Sequence, residues 1–449
     1  MLRSFRLGNH RSFRDEHELL LMPFYDNEQD VVLIAAVYGA NASGKSNLFD
    51  GLRFMAALVN RWRPREPESG SGIDRAPFRL SPNSLLEPSV FVVELVLQGV
   101  RHTYGFAVDD ERVREEWLYS YPRGRRRLLF ERKNREVDFG STITQRGKAE
   151  IVESLLTEEM LFLSLSARVE LKEYQPVFEW FQRSLLLPRL NSRASLRWAD
   201  ERSARFIERS STDRAVYLEL ARAADVGITD IDIEYLTDPR AAEQAALLER
   251  EAAQLEAEYA QVSDDQAEEL ARRVARARSS AALYERQSRR PRLALFHGRG
   301  GVAFQLDEES DGTRRWLHLL PSLIPCLAEG KTMVIDEIDT SLHPLLVRKL
   351  VELFRTPKTN PNHAQLIFST HDAFLLTPIA GEAGLDRDQV WFVEKQADGA
   401  SVLYPLTDFK PRNEHNLARR YLGGSYGAVP FLDDLELLHT PATRPSDDR

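Results

Sequence analysis

The chain has 449 residues, of which 43% are hydrophobic and 29% are charged, and its formal net charge at pH 7 is −9. This composition is typical of a globular protein with room for two or more lobes, and the acidic balance argues against nucleic-acid binding over the whole surface. The single cysteine, Cys326, excludes an internal disulfide, and no apolar run reaches the roughly 18 residues of a membrane helix, so we expect a cytoplasmic protein with no membrane partner.

The first element with a chemical signature is a strand, loop and helix at 31–54. The apolar run 31–38 predicts a buried strand, and 47–54 predicts the first turns of a helix. Between them, 39–46 matches the pattern G-x-x-x-x-G-K-[ST] in full, in which backbone N–H groups cradle phosphates, the lysine reaches the β- and γ-phosphates and the hydroxyl binds Mg²⁺. We therefore predict a nucleoside triphosphate and Mg²⁺ as ligands, with Ser46 as a metal ligand. The predicted nucleotide-binding loop is made of Gly39, Ala40, Asn41, Ala42, Ser43, Gly44, Lys45, Ser46 and Asn47.

The segment after this helix shows a series of short strands. Between the last two of them, the turn 122–127 holds four arginines. A solvated hairpin tip is the favoured interpretation of this basic turn, and a nucleic-acid contact is the alternative. With the phosphate loop, these strands make 1–165 the first half of a nucleotide-binding domain. The predicted strands are at 90–97, 104–108, 118–121 and 128–132.

Residues 166–290 are predicted to be a mainly helical insertion, because the period of the apolar residues changes there. Within it, 241–289 is rich in Ala, Glu, Arg and Gln, and 263–265 separates two helical stretches. Two helices of about twenty residues would form an antiparallel hairpin roughly 30 Å long. This hairpin is either a short coiled coil or a plain helical pair packed on the domain. Its expected apolar stripes are Leu247, Leu248, Leu255, Tyr259 and Val262, then Leu270, Val274 and Ala281.

The second half of the nucleotide-binding domain is predicted at 291–435, around an apolar strand that ends in two carboxylates. The run 331–335 is followed directly by Asp336 and Glu337. Phosphoryl transfer to water needs a metal ligand and a general base, so Asp336 is the predicted Mg²⁺ ligand and Glu337 the predicted base. The tail at 436–449 is expected to be disordered.

Two further segments flank this acidic strand. Ser310, Gly312 and Thr313 precede a helical run, so they open a helix whose N-terminus can bind an anion. Downstream, a short strand ends in Ser-Thr-His-Asp, and its His371 can hydrogen-bond to a γ-phosphate. Either segment alone is an ordinary turn or a surface histidine. Their order around the acidic strand gives them a functional interpretation.

In this order the segments resemble the Walker A, signature, Walker B, D-loop and H-loop motifs of ABC-type ATPases, with 339–343 in the place of the D-loop. The opening run 5–13 resembles that of the soluble branch that includes Rad50, SMC and RecF. Within this branch the chain is most similar to AAA15/AAA21-type ATPases of bacterial abortive-infection and anti-phage loci, which include OLD-like proteins without a Toprim domain and the PARIS AriA- and RloA-like proteins. The cues are the loop sequence and the segments 161–165, 224–228 and 408–430.

The resemblance implies an α/β fold, namely an ABC-type P-loop ATPase head with a mixed sheet, an antiparallel β subdomain and a helical insertion that carries a short antiparallel coiled-coil hairpin. It implies a homodimer that sandwiches two ATP molecules, in which Ser310, Gly312 and Thr313 of one subunit contact the nucleotide of the other. It further implies that Lys45, Glu337 and His371 are catalytic and that Arg11 contacts the nucleotide. Homo-oligomers larger than the dimer stay open.

The same resemblance implies that slow ATP hydrolysis controls a second protein. We expect a sensor or scaffold of anti-phage defence that holds a separate effector, a Toprim-type nuclease or a toxin, because only about 77 residues follow the His371 segment. The alternative is a RecF- or Rad50-like repair or recombination ATPase, with DNA as its partner. A transport ATPase is disfavoured, because Ser-Asp-Gly-Thr differs from the transporter signature. The Q-loop function has two candidate positions, Gln98 and 77–80.

Overall fold

A computed structural model describes residues 1–25, 30–61, 72–190, 193–224, 227–259, 264–298, 302–340, 342–378, 383–412 and 415–429. The predicted disordered tail at 436–449 and position 341 of the predicted D-loop lie outside these residues. The chain divides into two compact units: a flanking unit, Leu2–Phe178 with the chain from Ser369 onward, and a central unit, Glu179–Phe368. The domain boundaries predicted at 165, 290 and 435 remain predictions.

The described residues form sixteen strands and twelve α-helices. The strands are β1 (Leu2–Gly8), β2 (His17–Leu20), β3 (Ile34–Tyr38), β4 (Ser89–Leu97), β5 (Val100–Val108), β6 (Val113–Tyr121), β7 (Arg127–Lys133), β8 (Glu136–Phe139), β9 (Leu185–Leu186), β10 (Ile228–Thr237), β11 (Arg289–His297), β12 (Ala303–Gln305), β13 (Thr332–Ile335), β14 (Gln365–Ser369), β15 (Val390–Lys395) and β16 (Ser401–Pro405). The helices are α1 (Lys45–Asn60), α2 (Pro82–Leu86), α3 (Arg146–Ser154), α4 (Phe162–Ser166), α5 (Gln175–Glu179), α6 (Arg193–Glu208), α7 (Ser211–Ala223), α8 (Pro239–Tyr259), α9 (Asp264–Ser288), α10 (Asp311–Glu329), α11 (Pro344–Arg355) and α12 (Leu417–Leu422).

The larger sheet of the flanking unit has seven antiparallel strands in the order β2-β1-β4-β5-β6-β7-β8. Side chains alternate between the two faces of such a sheet, and one face is covered by the core, as the alternating burial of β6 shows. α1 packs against β1 and β4. The four hairpin strands predicted from the sequence are confirmed, and they lie side by side as β4, β5, β6 and β7.

A second group of strands in the flanking unit carries the phosphate loop. β3 pairs with β15 in parallel, and β15 pairs with β16 in the antiparallel sense. All five residues of β3 are buried, which explains why its sequence is continuously apolar rather than alternating. The strand predicted at 31–38 is confirmed in its second half, and the chain passes from Tyr38 directly into the loop.

In the central unit, β13 lies between β9 and β14 and runs parallel to both. β13 and β14 are fully buried and are in register up to Ile335 and Phe368. α10 packs against β13, and a separate antiparallel sheet, β10-β11-β12, packs through β11 against α6. Together with the flanking unit, these elements confirm the predicted α/β class.

The predicted helical hairpin is formed by α8 and α9, which join the paired ends of β10 and β11. The two helices pack along each other and are linked by an ion pair between Arg278 and Glu256 at 2.8 Å. The expected stripe is partly wrong, because Leu247 and Tyr259 are 50% and 47% exposed. The large apolar side chains guided that prediction, whereas the packed face relies on small ones, which let helices approach closely. The coiled-coil character stays a prediction. The inward positions of α8 are Ala241, Ala245, Leu248, Ala252 and Leu255.

Candidate nucleotide-binding site

The phosphate loop, residues 39–46, leads from β3 into the first turn of α1. Its backbone turns through left-handed conformations at Ala42 (φ 63°) and Gly44 (φ 116°). Within the described part of the chain, the N–H groups of Gly44 and Ser46 have no hydrogen-bond acceptor. Lys45 is 6% exposed, and its Nζ donates to the carbonyl oxygens of Gly39 at 2.6 Å and Ala40 at 3.0 Å. A helix N-terminus with unpaired N–H groups beside a lysine is a site for an anion such as a phosphate.

The two glycines of the loop are required by close contacts. A Cβ atom at Gly44 would collide with Ser401 Oγ and lie 2.7 Å from Ser12 Oγ, and a Cβ atom at Gly39 would collide with the carbonyl oxygen of Val393. The positive φ of Gly44 adds strain for any other residue. The loop conformation therefore depends on neighbours that come from both ends of the chain.

Serine hydroxyl groups from outside the loop form hydrogen bonds that fix its conformation. Two of these residues, Ser12 and Ser401, were not predicted from the sequence as parts of the site. Ser401 Oγ donates to the carbonyl oxygen of Ser43 and lies 2.8 Å from Ser12 Oγ, which accepts a hydrogen bond from Asn47 Nδ2 at 2.7 Å. Ser12, Ser43 and Ser401 are each at most 7% exposed. Ser401 is 358 positions from Ser43, so no local pattern could indicate the contact. We call Ser12, Asn47 and Ser401 the loop support.

Arg11, the predicted nucleotide contact, is held by a carboxylate on α1. Its Nε donates to Asp50 Oδ2, which also lies 3.0 Å from His10 Nε2. Burial alone would raise the pKa of Asp50, but the hydrogen bonds from His10 and Arg11 outweigh it and lower that pKa to about 2. Asp50 is thus ionised at neutral pH and fixes Arg11 beside the helix that follows the loop. Whether Arg11 touches the nucleotide stays a prediction.

The segment that holds His371 is anchored to β3, the strand that carries the phosphate loop. Thr370 N donates to the carbonyl oxygen of Val37 at 3.1 Å, and Tyr38 Oη donates to the carbonyl oxygen of Asp372, also at 3.1 Å. His371 lies between these two contacts and is exposed. Two predicted site segments of the flanking unit therefore share one strand as their support.

The predicted acidic pair lies where β13 ends in the central unit. β13 is completely buried, and Asp336 and Glu337 are half-buried directly after it. Glu337 has a left-handed backbone (φ 51°), which is uncommon for a residue with a long side chain and is found more often at functional sites. Its carboxylate accepts a hydrogen bond from Thr340 Oγ1 at 3.3 Å. Sequence reasoning did not single out Thr340.

The predicted signature segment opens α10. Ser310 is the N-cap residue, and its Oγ accepts a hydrogen bond from Thr313 N at 3.2 Å and lies 2.9 Å from Thr313 Oγ1. Gly312 lies in the first turn of the helix, and Ser310 is exposed. The helix start predicted from Ser-x-Gly is confirmed, because a serine at this position satisfies an N–H group of the first turn. The contact in trans remains a prediction.

Gln98, one candidate for the Q-loop function, occupies a tight hairpin turn in the flanking unit. Gln98 and Gly99 both have positive φ, 51° and 74°, as a two-residue turn between antiparallel strands requires. The second candidate, 77–80, is held near the N-terminal turn, because Phe78 N donates to Asn9 Oδ1 at 3.0 Å. The choice between the two positions stays open.

Mg²⁺ fits the oxygen donors that the sequence predicts. Ser46 supplies a hydroxyl in the flanking unit, and Asp336 supplies a carboxylate in the central unit. Among the described residues, no group of three or more His, Cys, Asp or Glu side chains could hold a metal by itself. Proteins commonly bind Mg²⁺ through one or two oxygens together with substrate phosphates and waters, so each of these two oxygens, taken by itself, has the donor chemistry that Mg²⁺ requires.

Comparison with known proteins gives a family for the chain. No curated protein matches it at a significant level. None of the helices in the described residues is both long and apolar enough to cross a membrane. The model of the family described as "AAA domain, putative AbiEii toxin, Type IV TA system" matches residues 34–377, a stretch that begins at β3 and ends after His371. Because this match covers more than half of the chain, the protein belongs to the AAA_21 family of P-loop ATPase domains.

Proposed function

We propose that this protein binds ATP with Mg²⁺, hydrolyses it slowly and uses the bound nucleotide to hold two copies of the chain together. The dimer acts as a sensor or scaffold in anti-phage defence and controls a separate effector, a Toprim-type nuclease or a toxin. The observation on which ATP binding rests is the phosphate loop, with the unpaired N–H groups of Gly44 and Ser46 beside the buried Lys45.

Each predicted side chain has a role in phosphoryl transfer to water. Lys45 and the loop N–H groups bind the phosphates and stabilise the charge that develops on them. Glu337 accepts a proton from the attacking water, and Thr340, whose hydroxyl donates to that carboxylate, orients it. His371 donates a hydrogen bond to the γ-phosphate. Mg²⁺, when bound through Ser46 and Asp336, neutralises phosphate charge.

Dimerisation is supported by the helix start at Ser310 and by the resemblance to the Rad50 branch. Ser310 caps α10 and Gly312 lies in its first turn, at the end of a helix that attracts anions. Supplied to the partner's nucleotide, they would contact a γ-phosphate, so ATP would favour the closed dimer and ADP would not. A two-fold pair would contain two such nucleotide sites.

The defence role is supported by the family, whose description refers to a toxin–antitoxin system. Slow hydrolysis in this setting serves as a timer that releases the effector. The alternative is a RecF- or Rad50-like repair or recombination ATPase that binds DNA. We favour the defence role, because both the family description and the sequence resemblance point to it.

The first test is the oligomeric state of Glu337→Gln. A glutamine cannot accept the proton from water, so we expect this variant to accumulate as an ATP-loaded dimer in ATP and Mg²⁺. Light scattering after size exclusion would measure it. Glu329→Gln is the matched control, since Glu329 is an exposed residue at the end of α10 that pairs with Lys331, and it should turn over ATP like the unmodified protein.

Two results decide this test. Adding Lys45→Ala to Glu337→Gln should return the protein to a monomer, because the nucleotide no longer binds. Ready dissociation of the Glu337→Gln dimer in excess ATP would refute the nucleotide-held dimer.

The effector is tested by recovering the Glu337→Gln protein from its host in ATP. Mass spectrometry and nucleic-acid extraction identify what accompanies it. A nuclease or toxin-like protein in equal amount supports the scaffold. DNA without such a protein supports the repair alternative.

A further inference from the structure

A second pocket lies on the antiparallel sheet of the flanking unit, outside the phosphate loop. We call it the sheet pocket: a partly open cavity of about 220 Å³ between the β4–β5 turn, β5, β6, β7 and the segment 173–176. Half of its ten lining residues are apolar, and the other half, which include His102, Ser120, Arg127 and Glu173, bring polar groups to it. Convergent polar side chains of this kind give a ligand site its specificity. The apolar lining comes from Leu97, Val100, Pro122, Leu129 and Pro176.

Three polar side chains form a row across the floor of the sheet pocket. His102 on β5 is paired with Ser120 on β6, and Ser120 is paired with Arg127 on β7. Directly opposed residues on neighbouring strands face the same side of a sheet. Two strand spacings, roughly 10 Å, separate the backbone positions at the two ends of the row, and the side chains between them can contact one small ligand together.

Two buried polar atoms in the pocket have no partner. Within the described residues, neither Ser120 Oγ nor Glu173 Oε2 makes a hydrogen bond, although Ser120 is only 4% exposed. Glu173 Oε1 accepts hydrogen bonds from Thr144 N at 2.9 Å and Thr144 Oγ1 at 2.5 Å. An unpaired buried polar atom is unfavourable, and a ligand with N–H groups would supply the missing donors.

The other two polar residues of the row have opposite roles: His102 offers a hydrogen-bond acceptor and Arg127 offers donors. His102 Nδ1 lies 3.0 Å from the carbonyl oxygen of Val100, so a neutral ring donates there and leaves Nε2 as an acceptor. Burial lowers the pKa of His102, which favours the neutral ring. Arg127 is fixed by two hydrogen bonds to Thr142, from Nε at 2.6 Å and Nη2 at 3.0 Å. A ligand that both donates and accepts, as a base edge does, matches this set.

The turn that follows the lining residue Pro122 is rich in arginine. The turn after Pro122 contains Arg123 and Arg125, which are exposed, and within the described part of the chain their side chains have no ion pair. Arg126 is occupied, because it pairs with Glu131 at 3.2 Å and stacks on Tyr119. Exposed arginines in the turn beside the pocket repel a cationic peptide and attract phosphate groups. The turn therefore favours an anionic ligand.

We propose that the sheet pocket binds a nucleotide unit, with its base against the row His102, Ser120 and Arg127 and its phosphate on Arg123 and Arg125. The unit is either a free nucleotide or one residue of a single-stranded nucleic acid, which share this chemistry. The site uses none of the residues of the phosphate loop, so it stands independently of the proposed ATPase function.

The test uses the full-length chain with Lys45→Ala, which removes binding at the phosphate loop. A fluorescein-labelled single-stranded 12-mer is titrated by anisotropy in low salt. Adding Ser120→Leu, which fills the floor of the pocket, should weaken binding tenfold or more. Adding Arg123→Gln with Arg125→Gln should weaken it similarly and reduce the slope of log K against log salt by about 1.4. Adding Arg146→Gln is the control, since Arg146 is exposed on α3 and pairs with Glu150.

Competition by nucleoside monophosphates separates the two sources. Displacement of the 12-mer by a monophosphate at millimolar concentration assigns the site to free nucleotides or strand ends, and resistance to it assigns the site to internal residues of a strand. The proposal is overturned if neither probe binds, or if the Ser120→Leu variant binds as tightly as its parent. Loss of binding in the arginine variant alone would reveal a phosphate-binding surface without a base pocket, which also overturns it.

Discussion

The phosphate loop and the sheet pocket belong to the same unit but are built in opposite ways. Within the described residues, the loop brings the unpaired N–H groups of Gly44 and Ser46 and the amine of Lys45 together in eight consecutive residues. The loop support ties it to both ends of the chain. The pocket takes its groups from side chains on three strands and one further segment, and in the part of the chain that the structure describes two of its buried polar atoms have no hydrogen-bond partner. A site whose groups come from consecutive residues can therefore be recognised in the sequence. A site whose groups come from neighbouring strands can be recognised only when the register of those strands is known.

The largest effect that separates the two sites is expected from Gly44→Ala. The new Cβ collides with Ser401 and Ser12, and the backbone would have to keep a φ of 116°. Collision and strain together exceed roughly 3 kcal/mol, so we expect ATP affinity to fall more than 100-fold. Calorimetric titration with ATP and Mg²⁺ measures this, and 12-mer binding should not change.

Gly298→Ala is the matched control for that prediction. Gly298 also has a positive φ, 58°, but nothing lies within 4 Å of the position of its added Cβ. Gly298→Ala should therefore introduce backbone strain but no steric collision, and we expect ATP binding to be unchanged. Equal losses in both variants would mean that general destabilisation, and not the shape of the loop, explains the result.

A smaller effect is expected from Ser401→Ala, which removes one hydroxyl of the loop support. The buried carbonyl oxygen of Ser43 then loses its donor, at a cost of about 1–3 kcal/mol, and the loop becomes less ordered. We expect ATP affinity to fall roughly tenfold, measured by the same titration. The exposed Ser425→Ala should have no effect. An unchanged affinity for Ser401→Ala would show that the loop keeps its shape without the support.

The smallest effect is expected from Asp50→Asn, which releases Arg11. The pKa of Asp50 is about 2 in the folded chain and 3.8 in its ordinary range. Since the folded pKa is depressed, the stability it contributes is present above about pH 4 and is lost as the pH falls through 2. The titration of Asp50 should therefore not change the ATP affinity between pH 5 and 8. We expect Asp50→Asn to weaken ATP affinity only a few-fold.

Comparison with Arg11→Ala shows how Arg11 acts. If Arg11 contacts the nucleotide, Arg11→Ala should lose more affinity than Asp50→Asn, because the latter keeps the guanidinium. Equal and small losses would mean that Arg11 and Asp50 only fix the N-terminal turn on α1.

Helix and strand positions were largely readable in the sequence, because the apolar period is a local property. The exact ends of the elements were harder to predict: a strand was predicted at 31–38, but only Ile34–Tyr38 forms one. The helical hairpin was found for the same reason. Its packed face was found only in part, because Leu255 is buried as predicted whereas Leu247 and Tyr259 are exposed and alanines take their place. Which apolar side chains are buried depends on the partner helix.

The phosphate loop, the strand that ends in Asp336 and Glu337, and the helix start at Ser310 could be predicted from the amino-acid sequence, because each is a short pattern whose chemistry lies in consecutive residues. Other contacts became visible only in the fold: Ser12 and Ser401 support the loop, Asp50 holds Arg11, and His102, Ser120 and Arg127 form one row. These contacts join residues that are far apart in sequence or on different strands. Their chemistry arises from strand register and burial, which no local pattern encodes.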